Sequence, residues 1–135
     1  MEIEVYTDGA SRGNPGDASI GVIIYDLDGQ TLKKDSEAIG IATNNVAEYK
    51  AVIRGLELAV ELKATKVKVY ADSQLLVRQL SGEYRVKNEG LKPLYNKVKE
   101  LAGNFENFAA FHIPREQNKE ADKLANMALD GQKPD

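Results

Sequence analysis

The sequence predicts an α/β protein: a five-stranded mixed sheet, made of a three-stranded antiparallel meander continued by parallel crossover strands, flanked by helices. Three observations predict it. The first forty residues hold three β-rich runs separated by turn signals. After them the apolar period lengthens from that of a strand to that of a helix. Two later β-rich runs each follow a helical stretch, which reads as a crossover into a parallel strand.

Residues 2–8 alternate acidic and apolar side chains and read as the first strand. Residues 9–16, GASRGNPG, are too rich in turn formers to sustain a helix. Residues 18–26 form the second strand, and Asp28-Gly29 is a hairpin signal into a third over 30–40. Tyr49, Val52, Ile53, Leu56, Ala59 and Val60 then make one apolar stripe on a helix over 45–62. A short strand at 67–71 and a short helix at 73–80 follow. A polar connection at 81–90 leads to a helix over 91–102 and a fifth strand over 105–113. Ala121, Leu124, Ala125 and Ala128 line the inner face of a last helix, with Asn118 as its N-cap.

A chain of 135 residues suits one domain, expected here over 1–130 with a short polar tail at 131–135. The absence of Cys excludes a disulfide scaffold, a thiolate zinc site and a cysteine nucleophile, and a single His excludes His-His zinc motifs. The N-terminus carries acids where a signal peptide needs bases, and no apolar run reaches membrane length. A cytoplasmic protein without a membrane partner is the expectation. The net charge of −3 argues against a simple basic nucleic-acid binder.

Four carboxylates stand where elements begin or end. Asp8 closes the first strand, Glu48 lies in the first turn of the long helix, Asp72 closes the fourth strand, and Asp122 lies early in the last helix. Parallel neighbouring strands would bring Asp8 and Asp72 together at the sheet edge where open α/β folds bind ligands. Grouped acids repel unless cations occupy the site. Mg²⁺ takes oxygen ligands and suits a few carboxylates plus substrate phosphates, and two such ions serve phosphodiester hydrolysis. Each acid also has an ordinary structural use. Asp72 can cap a helix, Glu48 can close a capping box with Asn45, Asp122 can complement a helix dipole, and Asp8 can serve a turn.

Two motifs are decoys. Residues 9–13 match G-x-S-x-G, but a nucleophile elbow leads straight into a helix, and here Asn14-Pro15-Gly16 and another strand follow. Residues 26–29 hint at a calcium loop without its remaining ligands and read as a hairpin turn.

Taken together, four segments resemble type 1 ribonuclease H: YTDGASRGNPG at 6–16, TNNVAE at 43–48, YADSQ at 70–74 and NKEADKLA at 118–125. They occur in that family's order over nearly the whole chain. The resemblance implies the ribonuclease-H-like fold and hydrolysis of the RNA strand of an RNA/DNA hybrid, leaving 5′-phosphate and 3′-hydroxyl ends. It implies two Mg²⁺ ions, with Mn²⁺ able to substitute, held by Asp8, Glu48, Asp72 and Asp122. It also implies substrate contacts from Gly9, Ala10, Ser11, Asn14, Asn44 and Asn45 in the minor groove, where 2′-hydroxyls distinguish RNA from DNA. Thr43 and Asn88 match positions that hold a DNA phosphate. His112 has the spacing of a loop His that assists product release, while FHIPR at 111–115 resembles the archaeal-type variant in which an Arg, here Arg115, does so. That variant keeps double-stranded RNA open as a second duplex substrate. A monomer is expected.

The chain departs from the family at the DNA-binding side. Ile41 stands where some members carry Arg, and the 81–90 connection is short and free of Trp, with only Arg85 and Lys87 as bases. The resemblance therefore implies a loosely binding, salt-sensitive enzyme. The alternatives are a catalytically weak or inactive nucleic-acid-binding domain of the same fold, or a nuclease of broadened specificity.

Overall fold

The computed structural model describes residues 1–132, so positions 133–135 of the expected tail lie outside the described residues. The order is β1 (Glu2–Ser11), β2 (Gly16–Asp26), β3 (Thr31–Ala42), α1 (Asn44–Glu61), β4 (Lys66–Ala71), α2 (Gln74–Leu80), α3 (Lys92–Ala102), β5 (Asn107–His112) and α4 (Lys119–Leu129). The strands form one sheet in the order β3-β2-β1-β4-β5. β1 runs antiparallel to β2, and β2 to β3, while β4 is parallel to β1 and β5 to β4. The predicted meander and both crossovers are present.

The core lies between the sheet and α1. Ile3 and Val5 of β1, Val22 and Ile24 of β2, and Val67 and Val69 of β4 face Tyr49, Val52, Leu56 and Ala59 of α1. Burying each of the larger side chains contributes about 1.5–3 kcal/mol. The Tyr49 hydroxyl donates to Gln79 Oε1 at 2.6 Å, which satisfies both groups in the interior and ties α1 to α2. α4 packs on the opposite face over β2, so the run Ala18–Ile24 is buried throughout and lacks the alternation of a one-sided strand. The edge strand β3 keeps Lys33, Lys34 and Glu37 exposed, which blunts edge-to-edge pairing.

Two glycines set the helices against the sheet. A Cβ on Gly9 would stand 2.3 Å from both Ala47 C and Glu48 N, and one on Gly21 2.1 Å from Ala121 O. Only a residue without a side chain lets β1 touch the first turns of α1 and lets β2 touch α4. Residues 26–29 form the expected hairpin turn, Asp26 Oδ1 accepting from the Asp28 and Gln30 N–H groups at 2.9 Å each. No helix among the described residues is long and apolar enough to cross a membrane.

Candidate active site

Tyr6 pairs with Tyr70 in the parallel β1–β4 ladder, so Asp8 and Asp72, each two residues on, lie side by side at the end of the sheet. The close approach at Gly9 brings Glu48 of α1 to this end, and the approach at Gly21 brings Asp122 of α4. All four acids line one cavity of 390 Å³, together with Gly9, Ala10, Ser11, Arg12, Asn44 and Arg115.

The ordinary uses of three of the acids fall away, while Asp122 does stand in the first turn of α4. The N-cap of α1 is Thr43, whose Oγ1 accepts from Val46 N–H at 3.2 Å, so Glu48 is not the third residue of a capping box with Asn45. The N-cap of α2 is Ser73, accepting from Leu76 N–H at 3.2 Å, so Asp72 is not a cap. Asp8 remains inside β1, paired with Gly21, and is not a turn residue. None of these three carboxylates caps a helix or makes a turn, and all of them border the cavity.

Asp8 is 8% exposed. Its burial first, and then the neighbouring charges of Asp72, Asp122 and Glu48, push its carboxyl up to about 8. Burial likewise raises Glu48; a hydrogen bond from Ser73 pulls it back, and Asp72 raises it further. This crowding of acids is what a cation relieves. Among the described residues no three such groups close tightly enough to cage an ion by themselves. The donor set is all carboxylate oxygen around one cavity, which is the chemistry of Mg²⁺, an ion that keeps several waters and completes its shell with substrate phosphate. The residues therefore fit a hard divalent cation, and Asp8, Glu48, Asp72 and Asp122 are the ones that would hold it.

Residues 6–128 match a family model described as reverse transcriptase-like. The chain is 40% identical to ribonuclease HI of Halobacterium salinarum over 95% of its length and 64% of that protein's. A crystal structure of ribonuclease H1 from the same archaeon superposes with a TM-score of 0.95 at 39% identity, covering 97% of this chain and 99% of that one. The chain belongs to the ribonuclease H family. LC11-RNase H1, isolated from compost and solved in complex with an RNA/DNA hybrid, is similar at 47% identity and a TM-score of 0.90, covering 96% of this chain and 97% of that one. The chain spans 36% of the length of its relatives in Mycobacterium, at 45% identity.

Within this ribonuclease H fold the remaining candidate residues divide. Ser11 is tied down, its Oγ donating to Ala42 O at 2.8 Å, and β2 follows it, so the elbow reading has no helix and no free hydroxyl. Asn14 Oδ1 accepts from Asn44 N–H at 3.1 Å and holds the β1–β2 turn against the start of α1. Thr43 and Asn45 flank Asn44 at the start of α1, outside the cavity lining. Arg115 lines the cavity, with Nη2 3.6 Å from Asp122 Oδ1. His112 is exposed at the end of β5, level with Ala71, and does not line it. Asn88 is not brought to the acids; its Oδ1 accepts from Gly90 N–H at 2.7 Å in the turn before α3.

Sequence reasoning missed Asn126, whose Nδ2 donates to Asp122 O at 3.0 Å and Oδ1 at 3.3 Å. The i,i+4 spacing from Asp122 was the available signal. It also missed Arg12 at the cavity rim, ion-paired with Asp130. Asn118 holds the expected N-cap position of α4, although its side chain makes no capping bond there.

Proposed function

We propose that this chain is an endoribonuclease that hydrolyses the RNA strand of RNA/DNA hybrids, leaving 5′-phosphate and 3′-hydroxyl ends. The observation that carries it is the convergence of Asp8, Glu48, Asp72 and Asp122, from four separate elements, on one cavity at the shared end of β1 and β4. The hybrid complex of the similar LC11-RNase H1 supports the choice of duplex.

Two Mg²⁺ ions, with Mn²⁺ as substitute, would supply a reactive hydroxide at neutral pH and stabilise charge on the attacking and leaving oxygens. The chain's own part is to hold four oxygen donors open toward a phosphate. Asp8, Glu48, Asp72 and Asp122 would hold the ions. Main-chain groups of Gly9, Ala10 and Ser11, with Asn44 beside them, border the same cavity and face the RNA minor groove. Asn14 fixes Asn44, and Thr43 and Asn45 present the first turn of α1 to the duplex. Arg115, close to Asp122, assists release of the cleaved end, and His112 does not. Ile41, 69% exposed, puts an apolar side chain near Thr43, which fits loose binding of the DNA strand. A cytoplasmic monomer belongs to the same reading.

Cleavage assays with Mg²⁺ or Mn²⁺ on matched RNA/DNA, RNA/RNA and DNA/DNA duplexes test it, with Asp72→Asn as control. Hybrid cleavage lost in Asp72→Asn is the expected result. An inactive wild-type chain, or an Asp72→Asn variant of full activity, overturns it, and equal cleavage of RNA/RNA replaces hybrid specificity with a broader one.

A further inference from the structure

Asn118 is 1% exposed and stands immediately before α4. Its side-chain amide reaches two of the elements that carry acids. Nδ2 donates to Thr7 O at 2.9 Å, on the peptide that leads into Asp8, and to Asp72 Oδ2 at 3.4 Å. The β1–β4 ladder ends at Tyr6 and Tyr70, so the amide takes up a β1 carbonyl just beyond the last pair. Its own carbonyl accepts from Asp122 N–H at 3.1 Å, which opens the helix that carries the fourth acid. Its Oδ1, by contrast, is buried without a hydrogen-bond donor.

A buried acceptor left unmet is destabilising. Helix capping does not offset that cost here, since the side chain makes no capping bond. What remains is the donor end, and it points at the main chain beside one acid and the carboxylate of another. We infer that Asn118 is a positioning residue, whose amide orients the Asp72 carboxylate and locks the end of β1 at Asp8 to the start of α4. This inference rests on the acid cluster being the metal-binding site proposed above. A ligand carboxylate oriented by such a donor binds its ion about 10–100-fold better than one left free to rotate.

The test compares Asn118→Ala and Asn118→Asp with wild type, well below each melting temperature, on an RNA/DNA hybrid with Mg²⁺. kcat is expected to fall about 10–100-fold with KM within about twofold, and calorimetric affinity for Mg²⁺ without substrate to fall by a similar factor. Asn118→Asp is expected to be the worse of the two, because it sets a like charge beside Asp72. Unchanged kcat and Mg²⁺ affinity in a folded variant overturn the inference, as does a loss confined to KM or to melting temperature. A Mg²⁺ titration of wild type followed by ¹⁵N NMR needs no variant. The Asn118 side-chain amide is expected to shift in step with the backbone amides of Asp8 and Asp72, and a silent Asn118 amide while those move overturns the assignment. A wild type that binds Mg²⁺ but cleaves no hybrid defeats the proposed activity alone, and the NMR result then decides the role of Asn118.

Discussion

At the shared end of β1 and β4 a cavity of 390 Å³ is lined by four carboxylates, while a larger groove of 730 Å³ between the 81–91 connection and α3 is lined by Tyr84, Arg85, Lys87, Lys92 and Tyr95. The acids are held by main-chain approaches at Gly9 and Gly21 and by the buried amide of Asn118. The groove residues stand on an exposed connection: Arg85 and Lys87 project into solvent, and Tyr84 is 47% exposed beneath the Arg78 guanidinium at 5.2 Å. Groups in the cavity feel a low local dielectric, so each charge is worth more and each displacement costs more. Charges in the groove are screened within about 8 Å at physiological salt. The comparison teaches that the four acids are held by the packing of the sheet, whereas the basic side chains of the groove stand on an exposed connection where salt weakens their charge.

The sharpest way to break that contrast is Asp8→Asn. Hydrolysis is expected to fall at least about 1000-fold, because the side chain loses its charge toward the cations. In metal-free protein the same change is expected to raise stability by about 1–3 kcal/mol, since it removes a buried carboxylate that burial and three like charges push up to about 8. Thermal melting in chelator checks it, and a lower melting temperature would show that the acids are not in conflict.

Gly9→Ala comes next. Its Cβ would overlap Ala47 and Glu48 main chain at 2.3 Å, so β1 and α1 must separate. A loss of about 3 kcal/mol in denaturant titration is expected, with about a 100-fold fall in kcat as Glu48 moves. Wild-type kcat in this variant would mean the site tolerates displacement after all.

Arg115→Ala is expected to lower turnover about tenfold, with His112→Ala within about twofold, because only Arg115 lines the cavity. Equal small effects in single-turnover and steady-state kinetics would remove the assignment.

In the groove, Arg85→Ala with Lys87→Ala is expected to raise KM about 3–10-fold, leave kcat in place and make the salt dependence of log KM shallower by about 1–2 units. A wild-type KM in the low nanomolar range at physiological salt would overturn the picture of a loose grip.

The smallest effect lies outside both regions. Glu37 is raised to about 7, first by its hydrogen bond with Asp35, then by burial and the Asp35 charge, with Arg54 opposing. Its folded-state value lies above the ordinary carboxylate range, so the stability it contributes is fully present at acid pH and is lost as pH rises through about 7. Glu37→Gln is expected to flatten that part of the curve in melting experiments, and an unchanged slope would refute the coupling.

Much of the fold could be read directly. The α1 stripe from Tyr49 to Ala59 and the β-rich run at 18–24 are patterns that only one secondary structure buries well. The acids could be found but not assigned by pattern alone, because a cap, a first-turn acid and a metal ligand use the same residue types. The net charge of −3 misled for a related reason: four of the acids gather in one cavity, and a sum over the chain does not reveal where charges stand. Asn88 shows the reverse failure, a residue matched by motif whose side chain is spent on a turn at Gly90.

The sequence by itself determined the order of elements and singled out the four acids as candidates, since periodicity and residue type are local properties. Only the tertiary structure decided that Thr43 and Ser73 cap the helices and leave Glu48 and Asp72 free, and that Arg115 rather than His112 reaches the cavity. It alone placed Asn118 between Thr7, 111 residues away, and Asp72, 46 residues away. Such contacts depend on how closely two strands and two helices approach, and that distance is set by packing across the whole sheet.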